Sequence, residues 1–247
     1  MRDTRDMLLV LLSSLLMLTG CSRRDILDDY PVSGVEISLD WNGVTNKLPE
    51  GVRVIFYPKN AEGRKIDTYL SVKGGKVKVP PGRYSVVVYN YDTETVQIRG
   101  EEAYETIEAF TGHCNGLGIA GTEQLVWGPD PLYVVRIDDL KIENSEEELQ
   151  LNWKPKLVVK TYSFKLKVQG LEYVSSIVGS IEGMSSCYDL GLGCGKAGDS
   201  PIYFAARGSA GEVTGSFTVF GTSEGVISRA GNAIKLTLAF VKTDNKV

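Results

Sequence analysis

Apolar and polar residues alternate with a period of two again and again along this chain, and no segment sustains a 3.6-residue period. An extended strand sends successive side chains to opposite faces, so this pattern calls for sheets with one buried and one wet face. Val35, Ile37 and Leu39 alternate with Glu36, Ser38 and Asp40, and Asn42-Gly43 follows as turn chemistry. Residues 52–57 form a β-rich run closed by Pro58. Residues 66–72 and 76–79 flank Gly74-Gly75, the arrangement of a hairpin. Pro80-Pro81-Gly82-Arg83-Tyr84 then launches Ser85-Val86-Val87-Val88-Tyr89, whose apolar character on both faces predicts a central strand. Strands are also expected over 95–98, 104–110 and 132–137, although 101–108 equally suits a short helix.

The acidic stretch 138–151, with Glu146-Glu147-Glu148, reads as an exposed connector between two halves. Beyond it the period of two returns at 157–159, 162–168, 177–181, 202–206, 215–220 and 234–241. Glycines cut this half into short strands and turns. The fold class is therefore all-β, and short strands punctuated by turns point to sandwiches rather than alternating helices and strands. The expected organisation is one β-sandwich over residues 31–150 and a second over 151–247.

The first twenty residues have a different character. Leucines dominate residues 7–18, broken only by Ser13 and Ser14, and the run is too short for a bilayer that needs roughly 20 apolar residues. Its length suits the core of a signal peptide spanning residues 1–20. Leu18-Thr19-Gly20-Cys21 resembles the lipobox of bacterial lipoproteins, in which cleavage precedes an acylated cysteine. That resemblance implies a lipoprotein beginning at Cys21, carrying palmitate-type chains, with residues 21–30 as a polar, flexible stalk. Several acyl chains hold where one would let go, because each buried CH₂ contributes about 0.8 kcal/mol. Removing residues 1–20 takes away Arg2 and Arg5 together with Asp3 and Asp6, so the net charge stays at −4. No basic face suggests a nucleic-acid partner.

Catalytic chemistry finds few candidates. His113, the sole histidine, sits with Cys114 in Thr111-Gly112-His113-Cys114-Asn115-Gly116, a turn-like stretch. A zinc site needs more ligands than this adjacent pair supplies, so no metal or other cofactor is inferred. Gly193-Cys194-Gly195-Lys196-Ala197-Gly198 matches G-x-G-x-x-G in letters, but Asp199-Ser200-Pro201 follows where the motif needs a helix. It reads as a glycine-rich loop. Cys187 and Cys194 lie close enough in that region for a disulfide or for two free thiols, with Cys114 left over. Trp127, in the loop Trp127-Gly128-Pro129-Asp130-Pro131, is a candidate platform for stacking on a sugar, against the alternative of ordinary packing.

The lipobox, the Pro-x-Gly-x-Tyr pattern at Pro80, Gly82 and Tyr84, Trp127-Gly128-Pro129-Asp130-Pro131-Leu132, and Ile181-Glu182-Gly183-Met184 together resemble the fimbrillin-like lipoproteins of Bacteroides-type bacteria, close to the fimbrillin-A-associated anchor proteins. The resemblance implies two tandem transthyretin-like sandwiches, an outer-membrane lipid anchor at the cell surface and a non-enzymatic role in cell adhesion as a fimbrial anchor or accessory subunit. Its partners would be fimbrial subunits or other surface proteins, joined by β-strand addition. A glycan-binding lipoprotein for polysaccharide capture is the alternative. The last strand pattern has no successor in sequence, which predicts a strand at an edge of the second sandwich, against the alternative that an earlier strand pairs with its far side or a loop covers it.

Overall fold

The alternating segments form strands wherever one face can be buried. The computed structural model describes residues 33–60, 63–114, 124–196, 200–221 and 234–243. Cys21, the signal segment and the stalk lie outside the described residues. Among the described residues seventeen strands follow one another: β1 (Ser33–Leu39), β2 (Gly51–Pro58), β3 (Ile66–Ser71), β4 (Gly74–Val79), β5 (Gly82–Asn90), β6 (Val96–Arg99), β7 (Glu108–Thr111), β8 (Tyr133–Ile142), β9 (Leu149–Trp153), β10 (Lys156–Leu157), β11 (Lys160–Lys167), β12 (Val174–Glu182), β13 (Cys187–Asp189), β14 (Cys194–Lys196), β15 (Ile202–Ser209), β16 (Glu212–Val219) and β17 (Lys235–Lys242). A 3₁₀ turn at Leu171–Tyr173 is the one helical element among the described residues. The protein is all-β, as its periodicity requires.

The largest sheet has the order β10-β8-β5-β2-β3-β4-β1-β9. Val35, Ile37, Val77, Val79 and Trp153 from one end share a core with Val54, Phe56, Val86, Val88 and Val135 from the other. The sheet therefore folds back on itself through β3, which meets β4 at the single pair Ser71 and Gly74. Gly74 is needed there for two reasons. Its φ of +100° belongs to the left-handed region, and a Cβ would lie 2.0 Å from the carbonyl oxygen of Ile37. The hairpin turn itself is Val72-Lys73, with the paired glycines opening β4 instead of forming the turn.

The opposite face of β2, β5 and β8 is buried too. Ile55, Tyr57, Val87, Tyr89 and Val134 pack with Val96, Ile107, Ala109 and Leu190. Those last residues belong to or border a four-stranded sheet of order β14-β13-β7-β6. β5, between β2 and β8, is the central strand that its run of valines predicts. The four-stranded sheet joins distant parts of the chain, because β13 pairs with β7 at Cys187 and Phe110. Residue 150, where the sequence divides into halves, falls inside β9, which pairs in parallel with β1.

Three local expectations change. Residues 138–151 are not one long connector, since β8 runs on to Ile142 and β9 starts at Leu149. Ile142 is buried in the core while Asp139 faces Arg83 on the outside, so acidity marks the wet face of a strand rather than its end. Residues 101–106 are turns rather than strand or helix, and only Glu108–Thr111 pairs. The glycine-rich segment contains a strand, β14, paired with β13.

The remaining sheet has the order β11-β16-β15-β12-β17. Ile177, Ile181, Ile202, Phe204, Ala206, Val213 and Val219 form its core on one face. Gly179 sits among them with no room for a side chain: a Cβ would lie 2.3 Å from the Phe204 ring and 2.9 Å from the Thr237 carbonyl oxygen. Gly179→Ala is expected to destabilise the protein by about 1–3 kcal/mol through overpacking. Urea unfolding of Gly179→Ala with and without Phe204→Leu checks this, with partial recovery expected in the double variant.

Candidate functional site

The last described strand, β17, pairs antiparallel with β12 through Ile181 with Leu236, Gly179 with Leu238 and Ile177 with Phe240. That register puts Leu236, Leu238 and Phe240 on the apolar face of the sheet, in line with the core residues of β12. On its other side β17 has no neighbouring strand among the described residues. Among the described residues it is an edge strand of this sheet. Leu236 is 38% exposed, whereas Ile177 in the adjacent strand is 4% exposed, so the apolar face runs to the rim of the sheet at this edge.

The two edges of this sheet are chemically unlike. β11 carries Lys160, Lys165 and Lys167, with Lys165 paired to Glu212 at 2.7 Å, and Tyr162 stacks on Phe217 at 5.8 Å. Charges along an edge discourage pairing with another chain. β17 has lysines only at its ends, Lys235 and Lys242, and Leu-Thr-Leu-Ala-Phe-Val lies between them. Lys235 reaches back to Glu182 at 2.7 Å. The middle of β17 therefore offers backbone N–H and C=O groups beside apolar side chains with no charge to repel a strand.

For Cys187 and Cys194 the sequence leaves both a disulfide and two free thiols open. Cys114, Cys187 and Cys194 are all free thiols. In the β13–β14 hairpin Cys187 lies opposite Lys196 and Cys194 opposite Asp189, so the two cysteines are diagonal neighbours. Diagonal positions in an antiparallel pair stand farther apart than the direct pairs that suit a disulfide. Burial raises the pKa of the Cys187 and Cys114 thiols. His113 forms a short antiparallel bridge with Val126, and Val126 also bridges Ile202. These backbone bridges fasten a loop of the first half to β15 of the second.

Trp127 follows Val126 in that loop. Its ring stands edge-on to Tyr203 at 5.5 Å and is 38% exposed. The loop is held from below: the Asp130 carboxylate accepts the backbone N–H groups of Glu94 and Thr95 at 2.7 and 2.6 Å, and the Thr95 hydroxyl donates to the Gly128 carbonyl at 3.0 Å. Trp127 donates its backbone N–H to the Gly112 carbonyl at 3.1 Å, so the structure brings it next to the segment that carries His113 and Cys114, while Cys187 and Cys194 stand on the β13–β14 hairpin that pairs with β7. Among the described residues no three His, Cys, Asp or Glu side chains converge as metal ligands.

A chain of ion pairs crosses the four-stranded sheet. Arg99 contacts Glu108, Lys196 bonds Glu108 at 2.7 Å, and Lys196 also reaches Asp189, which is 2% exposed, at 3.0 Å. Burial alone would raise the pKa of Glu108, but hydrogen bonds from Lys196 and Arg99 outweigh it and hold the carboxyl below its ordinary value. A lowered carboxyl contributes stability that is present above the unfolded-state pKa and is lost as the pH falls through the folded-state value. Glu108→Gln is therefore expected to flatten the acid limb of the stability curve. Urea midpoints measured across the carboxylate range for both proteins check it.

Comparison with known proteins matches residues 20–205 to the family described as "Domain of unknown function (DUF5119)". A relative from Bacteroides ovatus, named "Putative fimbrium anchoring subunit Fim4B", is 63% identical over 259 aligned residues that cover 100% of this chain and 78% of the relative. The crystal structure of a "putative adhesin", also from Bacteroides ovatus, shares 60% identity, with a TM-score of 0.82 over 92% of this chain and 84% of that one. The fimbrial anchor protein Mfa2 from Porphyromonas gingivalis shares the fold at 12% identity, with a TM-score of 0.53 over 84% of this chain and 76% of Mfa2. The match over most of its length places this chain in the DUF5119 family, as a homologue of the Bacteroides ovatus anchoring subunit.

Proposed function

We propose that this protein is a non-enzymatic fimbrial anchor or accessory subunit, held at the outer-membrane surface by lipid on Cys21 and joined to a fimbrial subunit by β-strand addition at β17. The observation that carries the reading is the uncharged edge of β17 lying flush with an apolar sheet face. An incoming strand would complete the backbone hydrogen bonds of β17 and cover Leu236, Leu238 and Phe240 with its own alternate side chains. The kinship with a protein named as a fimbrium anchoring subunit supplies the class of partner. Residues 31–150 and 151–247 are read as tandem transthyretin-like sandwiches behind a signal peptide; the separate core over β12, β15 and β16 supports a second sandwich, while Trp153 and Val159 pack in the first two cores and so put β9 and β10 with the first.

Hydrogen exchange on residues 235–242, with and without purified fimbrial stalk subunit, tests the docking strand. Protection is expected to rise with the subunit, and complete protection in the isolated protein would show an edge already satisfied. Leu236→Lys places a charge at the exposed rim of the apolar face, so it should leave the fold intact and weaken subunit binding by roughly tenfold or more. The tether has a separate test. Cys21→Ala is expected to abolish labelling by a palmitate analogue and to release the protein from envelope membranes, and unchanged labelling would refute acylation at Cys21.

A further inference from the structure

A cleft of about 770 Å³ opens where the end of β2, the turn at 101–106, β8 and the β13–β14 turn meet. It lies on the large and four-stranded sheets, away from β17. Three cationic side chains, Lys59, Lys65 and Arg136, share its lining with three anionic ones, Glu102, Glu105 and Asp138. The balance leaves no net field to select an ion. What remains is a dense set of donors and acceptors around two apolar surfaces, the Tyr104 ring and Leu192, which is 65% exposed.

The cleft is pre-organised. Arg53 holds Asp67 through two hydrogen bonds of 2.8 and 2.7 Å and also contacts Glu101, the first residue of the turn. Tyr57 and Lys65 each donate to the Glu101 carbonyl at 3.0 Å. Tyr104 stands edge-on to Tyr57 at 5.9 Å, donates to Asp138 at 2.7 Å and accepts from Arg136 at 3.0 Å. Burial first, and then the bond to Asp138, push the Tyr104 hydroxyl up to about 12, so it stays protonated as a donor at neutral pH. Gly191 closes the far side, where a Cβ would lie 2.0 Å from the Tyr104 carbonyl oxygen. The turn and the hairpin are thus locked together before any ligand arrives.

We infer that this cleft binds a neutral oligosaccharide. Sugar hydroxyls need donors and acceptors interleaved at short range, and the C–H faces of a pyranose need an aromatic or aliphatic flank. The volume falls within the range of small-ligand clefts. An anionic ligand would meet three carboxylates, and an apolar one would strand their charges. A glycan at this place would give the protein a second contact with cell-surface or matrix polysaccharide, independent of subunit docking at β17.

Calorimetric titration of the full chain with maltohexaose, mannohexaose and xylohexaose, with sialyllactose as a charged control, tests the proposal. At least one neutral glycan is expected to bind, and Tyr104→Ala and Leu192→Asp should each weaken it by about tenfold or more. Leu192 is a surface side chain, so its variant keeps the test valid even if Tyr104→Ala fails to fold. Absence of binding by all three neutral glycans, binding unchanged in Leu192→Asp, or binding lost only in Trp127→Ala would overturn the assignment.

Discussion

Two-sided burial of β2, β5 and β8 is the constraint on which the rest of this molecule depends. Their alternate residues feed two different cores, Val54, Phe56, Val86 and Val88 on one side and Ile55, Tyr57, Val87 and Val134 on the other. Burying a Val, Leu, Ile or Phe side chain contributes about 1.5–3 kcal/mol, so a strand apolar on both faces gains nearly twice what a half-wet strand gains. Neither core can form without its cover. The first requires the large sheet to double over, and the second requires a four-stranded sheet assembled from both halves of the chain. The pairing of β13 with β7 is therefore part of the main core rather than a late decoration.

Polar groups near this frame fasten loops. Asp130 pins the Trp127 loop through two backbone N–H groups, Arg53 pins the turn at 101–106, and Lys196 ties Glu108 to the buried Asp189. Carboxylates in such positions satisfy donors that would otherwise be buried without partners. The backbone of His113 and Cys114, the residues that sequence reasoning weighs for catalysis or metal binding, helps in the same work, since residues 112–114 run beside 125–127.

The contrast between the two edges of the five-stranded sheet matters most for a surface protein that joins others. An edge strand is a template for pairing, and proteins that must stay monomeric protect it with charge. β11 carries lysines at Lys160, Lys165 and Lys167, whereas β17 has them only at its two ends. Among the described residues the same sheet thus ends in one strand with three lysines and one with an uncharged middle. That asymmetry suits a subunit that must bind in one direction without polymerising on itself through both sides.

Which parts of this architecture were legible in the chain follows from the range of each interaction. Alternation is a local property, so β1, β2, β5, β11, β12 and β16 stand out in the sequence, and Val86-Val87-Val88 announces a strand covered on both faces. The place of β17 at the end of its sheet rests on its pairing with β12 alone among the described strands. β13 and β14 are three residues long and rich in glycine context, too short to show a period, and only the partner β7 makes them strands. Residues 138–142 look like a connector because three of the five are charged, yet pairing with β5 carries β8 through them. The cleft has no linear signature either, since Lys59, Glu102, Arg136 and Leu192 come from four separate segments. The sequence by itself determined that the chain must form sheets and which faces are apolar. Which strands lie beside one another, and so which edge stays open and where a cleft appears, was decided by tertiary packing, because those outcomes rest on contacts between residues far apart in the chain.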